Sequence, residues 1–181
     1  MLQNNIYCAT HSLNSHLFIS ENRLLLRSES ESALARAKKL LMDTVQCAKD
    51  NPSIKNINLV LKACEFFPKD FDPNPILLAT EMFQETQSRN VKPTHETYTS
   101  MLSICIEHLT DDDSRKLKIM EKTFTKCCQD GLCSPLVWKL FRSHMPKEEF
   151  NGTLGRMLPS VQSKKRNVRY SDLPHKWSAS C

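Results

Sequence analysis

Part of this chain nearly repeats itself 41 residues further on, and self-similarity at that period leaves few folds open. Asn56-Ile57-Asn58-Leu59-Val60-Leu61-Lys62-Ala63-Cys64 falls on Thr97-Tyr98-Thr99-Ser100-Met101-Leu102-Ser103-Ile104-Cys105, and the same offset carries Phe83 to Phe124 and Val91 to Leu132. Run backwards, it carries Ala79-Thr80-Glu81-Met82-Phe83 to Lys38-Lys39-Leu40-Leu41-Met42 and Pro93-Thr94 to Pro52-Ser53. A fixed period over three copies marks a repeat array, in which each unit buries its apolar face only against its neighbours.

Each copy reads as two helices. In residues 54–94 the first presents Ile57, Val60, Leu61 and Cys64 at amphipathic spacing, and the second presents Leu78, Met82, Phe83 and the less apolar Thr86. Between them, Phe67 to Pro75 holds three prolines, which lack an amide donor and push the preceding residue towards extended backbone. Residues 95–135 repeat the plan with Tyr98, Met101, Leu102 and Cys105, then Asp111-Asp112-Asp113-Ser114, then Ile119, Met120, Phe124 and Cys127. Gly131 stands where the last of these helices should stop. The fold expected is all-α: a right-handed α-solenoid of antiparallel helical hairpins.

Ala79 to Thr94, followed by His95-Glu96-Thr97-Tyr98-Thr99-Ser100-Met101-Leu102, resembles the junction between two pentatricopeptide repeats. The Val91-Lys92-Pro93-Thr94 turn leading into Thr97-Tyr98-x-x-x-Leu102 is the specific part. The likeness covers 78–105 well, 54–135 reasonably, and 13–53 and 136–158 loosely. The family's unit is shorter than 41 residues, and the surplus fits the loop between the helices, where insertion costs little entropy. A tetratricopeptide array, of about 34 residues per unit, lacks its Trp, Leu-Gly and Tyr pattern here.

The resemblance implies that first helices line a concave surface on which each unit addresses about one RNA base. Carried over, the base-reading pairs are Asn58 with Thr94 and Thr99 with Pro135; Pro135 has no side-chain donor or acceptor. Where the family packs an apolar residue on the base, this chain has Lys55 and Glu96, and the flanking copies put Leu17 and Leu140 at the reader position. Asn58 and Thr99 also admit a plainer reading as polar residues that cap a helix start or stay solvated.

Charge is unevenly placed. Residues 54–135 hold ten Lys or Arg against twelve Asp or Glu, whereas residues 163–181 hold five basic residues against Asp172 alone. Lys164, Lys165, Arg166 and Arg169 are the candidate phosphate contacts; the same cluster reads equally as a solvated tail or a nuclear signal.

Catalysis finds no footing in the sequence: there is no Gly-rich phosphate loop among three glycines, no G-x-S-x-G, no H-E-x-x-H, and the six histidines stand singly. We expect no enzyme and no cofactor. Cys64 and Cys105 recur at one helix position among apolar neighbours, as small buried hydrophobes do, so the eight cysteines suggest reduced thiols in an intracellular compartment rather than disulfides. Cys127, Cys128 and Cys133 do not give zinc spacing.

No apolar run approaches the roughly 20 residues of a membrane helix. No organelle address is visible in the first 27 residues, although the resemblance implies a mitochondrion or plastid. With three or four hairpins, the chain reads as a fragment or the end of a longer array.

The organisation expected is an N-terminal segment with a degenerate or partial repeat over 1–53, two hairpins over 54–135, capping helices over 136–160 and a basic disordered tail over 161–181. Ser28 to Ser32 reads as a loop or cap. In the tail, Trp177 either docks back on the repeats or is disordered with its surroundings. The function expected is non-catalytic binding of single-stranded RNA in RNA processing, stability or translation. Its rival is a protein-interaction scaffold using the same concave face.

Overall fold

The computed structural model describes residues 31–68, 74–158 and 168–180. Over these residues the chain is helical, with α1 (Glu31–Asp50), α2 (Ile54–Cys64), α3 (Pro75–Ser88), α4 (His95–His108), α5 (Ser114–Gln129), α6 (Pro135–His144) and α7 (Lys147–Met157), and no strand. Two 3₁₀ turns follow, Tyr170–Asp172 and His175–Trp177. The chain divides into two compact units, one ending at Lys92 and the other starting at Pro93.

In the first unit α2 packs on α1 and on α3. Ile57, Val60, Leu61 and Cys64 are all buried, as their spacing requires, in one core with Leu41, Val45 and Ala48 of α1 and Leu78, Ala79 and Met82 of α3. Ser53 caps α2, its hydroxyl accepting from the Asn56 amide at 3.2 Å. Pro75 opens α3 at the position where its missing amide is not needed, with Asn74 as the cap. Glu31 and Ser32, read as part of a loop or cap, are the first residues of α1.

In the second unit α4 packs on α5 and α6, and α5 also meets α6 and α7. The positions equivalent to Ile57, Val60, Leu61 and Cys64 are Tyr98, Met101, Leu102 and Cys105, again all buried. The two second helices end alike. Asn90 and Gly131, 41 residues apart, both have positive φ, 54° and 73°. The Val91 amide donates to Thr86 O at 2.8 Å and the Leu132 amide to Cys127 O at 3.0 Å. This is the Schellman ending, in which a left-handed residue lets the next amides reach back to the orphan carbonyls.

The second helices depart from strict repetition in their cores. Phe83 is half-buried whereas Phe124 is fully buried, and Ile119 is half-buried although it is apolar. Phe124 sits in an aromatic cluster: it stacks on Phe141 at 3.9 Å between centroids, and Trp138 and Trp177 lie at 6.0 and 6.1 Å, the latter edge-on. Phe150 of α7 closes the cluster against Trp138 and Phe141. Within 136–160, expected as capping helices, the described residues belong to α6, to α7 and to the ends of these helices.

Within 161–181, read as a disordered tail, residues 168–180 instead form an ordered strap. Trp177 and Val168 are buried. The Cys133 amide donates to Trp177 O at 2.7 Å, the Ser180 amide to Gly131 O at 2.9 Å, and the Tyr170 hydroxyl to Cys133 O at 2.9 Å. A large indole with an apolar slot beside Phe124 offsets the entropy of ordering a polar segment.

Two substitutions test this packing by thermal or denaturant unfolding. Phe124→Ala should cost about 3–5 kcal/mol, since it empties the centre of the aromatic cluster. Gly131→Ala should cost about 1–2 kcal/mol from the left-handed backbone alone. Its Cβ would also lie 3.2 Å from Lys176 O and Ser180 Oγ, so weaker amide-exchange protection of the strap should accompany the destabilisation.

Candidate nucleic-acid interface

Asn58 and Thr99 occupy the same place in two hairpins, the fifth residue of α2 and of α4. Each is half-buried beside a buried neighbour, Ile57 or Tyr98, so each sits at the border between the core stripe and the open face of its helix. Lys55 and Glu96, three residues earlier, are exposed. The Thr99 hydroxyl donates to His95 O of its own helix at 2.9 Å, which leaves its lone pairs as the group a ligand can use. Asn58 carries an amide with two donors and an acceptor.

Thr94 is the N-cap of α4 and forms a capping box with Thr97. Its amide donates to Thr97 Oγ1 at 3.0 Å. The residue that closes one repeat therefore caps the next helix, as Ser53 does for α2. Thr94-x-x-Thr97 carries that signal in the sequence, and the cap competes with base reading for the same hydroxyl. Pro135 is the exposed first residue of α6, capped by Ser134. Asn58 lies in the first compact unit, and Thr94 and Thr99 in the second.

Of the four candidate phosphate contacts, Lys164, Lys165 and Arg166 lie outside the described residues, as does Leu17. Arg169 is exposed at the start of the strap, its amide donating to Asp172 Oδ2 at 2.9 Å. Half-buried Leu140 lies on α6, beyond the first turn of that helix.

Around Thr99 the buried polar chemistry is structural. The buried Tyr98 hydroxyl donates to Asp130 at the end of α5, whose other oxygen pairs with Lys126 at 2.6 Å. Burial, and then the bond to Asp130, hold the Tyr98 phenol well above its ordinary titration range. Lys116 has a buried stem and carries its ammonium to exposed Asp111 at 2.6 Å. The hydrogen bond from Lys116 holds the Asp111 carboxyl below the usual range.

The buried cysteines are unreactive by the same logic. Burial pushes Cys64 and Cys105 up to about 12. Cys128 is raised further, first by burial and then by a hydrogen bond to Cys133. Thiolate is the reactive form, and these sites suppress it. Among the described residues no group of three or more His, Cys, Asp or Glu is placed to hold a metal ion, and no helix is long and apolar enough to cross a membrane.

Comparison with known protein families, with characterised proteins and with solved structures finds no match for this chain.

Thr99→Ala removes a hydroxyl that donates within its own exposed helix turn, so unfolding should move by no more than about 0.5 kcal/mol. Tyr98→Phe, one residue away, strips a buried partner from Asp130 and should cost about 1–3 kcal/mol in the same measurement. This contrast separates the open face from the core before any ligand is added.

Proposed function

We propose that this chain is a non-catalytic RNA-binding protein of pentatricopeptide type, its hairpins stacked as a right-handed α-solenoid, serving RNA processing, stability or translation in an organelle or the cytoplasm. One observation carries the reading. Asn58 and Thr99, small and polar, stand at the same half-buried step of two successive first helices, each next to a core residue and three residues on from an exposed one. Polar positions that recur with the fold at the edge of an open face suit one base per unit. With Thr94 serving as a cap and Pro135 lacking side-chain polar atoms, each reader works largely alone, so the repeats contribute modest base preference. Affinity then rests on the basic residues Lys164, Lys165, Arg166 and Arg169.

A protein partner is the second reading, favoured by the excess of acidic over basic residues in 54–135. Exposed apolar side chains at Leu77 and Leu136 suit it too.

Fluorescence anisotropy with a randomised single-stranded RNA pool at two salt concentrations decides between them. Binding should weaken with salt, and alanine at Lys164, Lys165, Arg166 and Arg169 should flatten that dependence by roughly 0.7 in log–log slope for each phosphate no longer neutralised. Asn58→Ala and Thr99→Ala should change which sequences are enriched more than overall affinity. No binding at low salt overturns the RNA reading and points to the protein partner.

A further inference from the structure

The second unit holds a cleft of about 430 Å³ between α5, α7 and the C-terminal strap, apart from the first-helix face. Its origin lies in the sequence of α5. The core stripe of that helix is Met120, Phe124, Cys127 and Cys128, while Glu121, Thr125 and Gln129 form a separate polar stripe about 12 Å long. Helix α7 faces the stripe with Thr153 and Arg156, and the strap closes one end with Lys176 and Trp177.

The walls are held in place independently of any ligand. Arg156 donates to Glu121 and to Thr153 Oγ1, the latter at 3.3 Å, and Thr153 itself is 1% exposed. The Thr125 hydroxyl meets Met157 Sδ at 3.6 Å. On the strap, Trp177 O accepts from the Cys133 amide and its ring is wedged edge-on against Phe124, so the adjacent Lys176 is carried on anchored backbone. Lys176 is exposed and has no ion pair among the described residues.

The lining combines two cationic side chains against one carboxylate, neutral hydrogen-bonding groups along one wall, and apolar surface from Met157 and Trp177. A few convergent polar groups on partly apolar walls, at this volume, are the ordinary make-up of a small-ligand site. The complementary ligand is of nucleotide size, with one anionic group for Lys176, beside an Arg156 already paired with Glu121, and a flat body with hydrogen-bonding edges for Thr125 and Gln129.

We propose that this cleft binds a nucleoside 5′-monophosphate, free or as one unit of an RNA strand. The choice of a nucleotide over other flat anions rests on the RNA reading; the cleft itself does not. A phosphate held at Lys176 would fix the strand beside α7, and discrimination would come from the Thr125–Gln129 edge.

The test titrates the full chain with AMP, CMP, GMP and UMP, and with the matching nucleosides, read by intrinsic tryptophan emission. The randomised RNA pool is run beside them by anisotropy. Lys176→Ala and the cleft-filling Thr125→Phe are compared with the parent chain after melting curves confirm that each is folded. A saturable emission change with monophosphates, about tenfold weaker with nucleosides and in Lys176→Ala, supports the proposal. If Thr125→Phe unfolds, Lys176→Ala alone carries the comparison, since that side chain is solvent-exposed.

Monophosphate binding without RNA binding keeps the cleft as a free-nucleotide site and removes the RNA reading. RNA binding with no response to monophosphates, or a response untouched by Lys176→Ala, overturns the cleft and leaves the RNA reading standing. Failure of both ligands overturns both.

Discussion

The second unit depends on the burial of one ring, Phe124. It lies along α5 with no exposed surface, stacked on Phe141 and met by Trp138 and Trp177. Aromatic rings bury large areas and prefer stacked or edge-on contacts, so one ring fixes the positions of three others. Through Phe141 and Trp138 it sets α6; through Trp177 it sets the strap. The strap in turn reaches the α5–α6 turn, where Gly131 lacks the Cβ that would crowd Lys176 O. Core, turn and strap therefore stand or fall together.

Polar groups in this chain divide into two kinds. Those at helix ends serve the backbone: Ser53, Asn74, Asp113 and Ser134 accept from amides that the helix leaves unpaired. Asp113 also accepts from the Arg115 guanidinium, which holds its carboxyl at about 2. Asn58 and Thr99 stand at the fifth residue of their helices, past the N-cap position, and the Thr99 hydroxyl turns back to His95 O of its own helix. Thr94, one residue outside the helix, belongs to the first kind. Helix geometry, rather than residue type, makes the distinction.

Much of this was legible along the chain. The 41-residue offset placed the buried positions Ile57, Val60, Leu61 and Cys64 and their counterparts correctly, because helical periodicity is a local property and the core stripe follows from it. Proline positions placed the loops, and Gly131 placed the end of α5. The matching role of Asn90 was less visible, since asparagine tolerates the left-handed region without requiring it. The half-burial of Phe83 against the full burial of Phe124 was not legible at all. Both sequences around them read as an apolar stripe, and the difference comes from Trp138, Phe141 and Trp177.

The strap marks the same boundary most clearly. By composition, residues 168–180 are polar, basic and proline-containing, which is how a solvated tail reads. Whether Trp177 stays in water or enters the core depends on a slot made by residues that the chain supplies more than thirty positions earlier. The amino-acid sequence alone determined the paired helices of 54–135 and their repeating buried positions, because these follow from neighbours three and four residues apart. Only the tertiary structure decided where the strap docks and that Glu121, Thr125, Arg156 and Lys176 share one cleft, because contacts between distant segments depend on shape complementarity that no local pattern encodes.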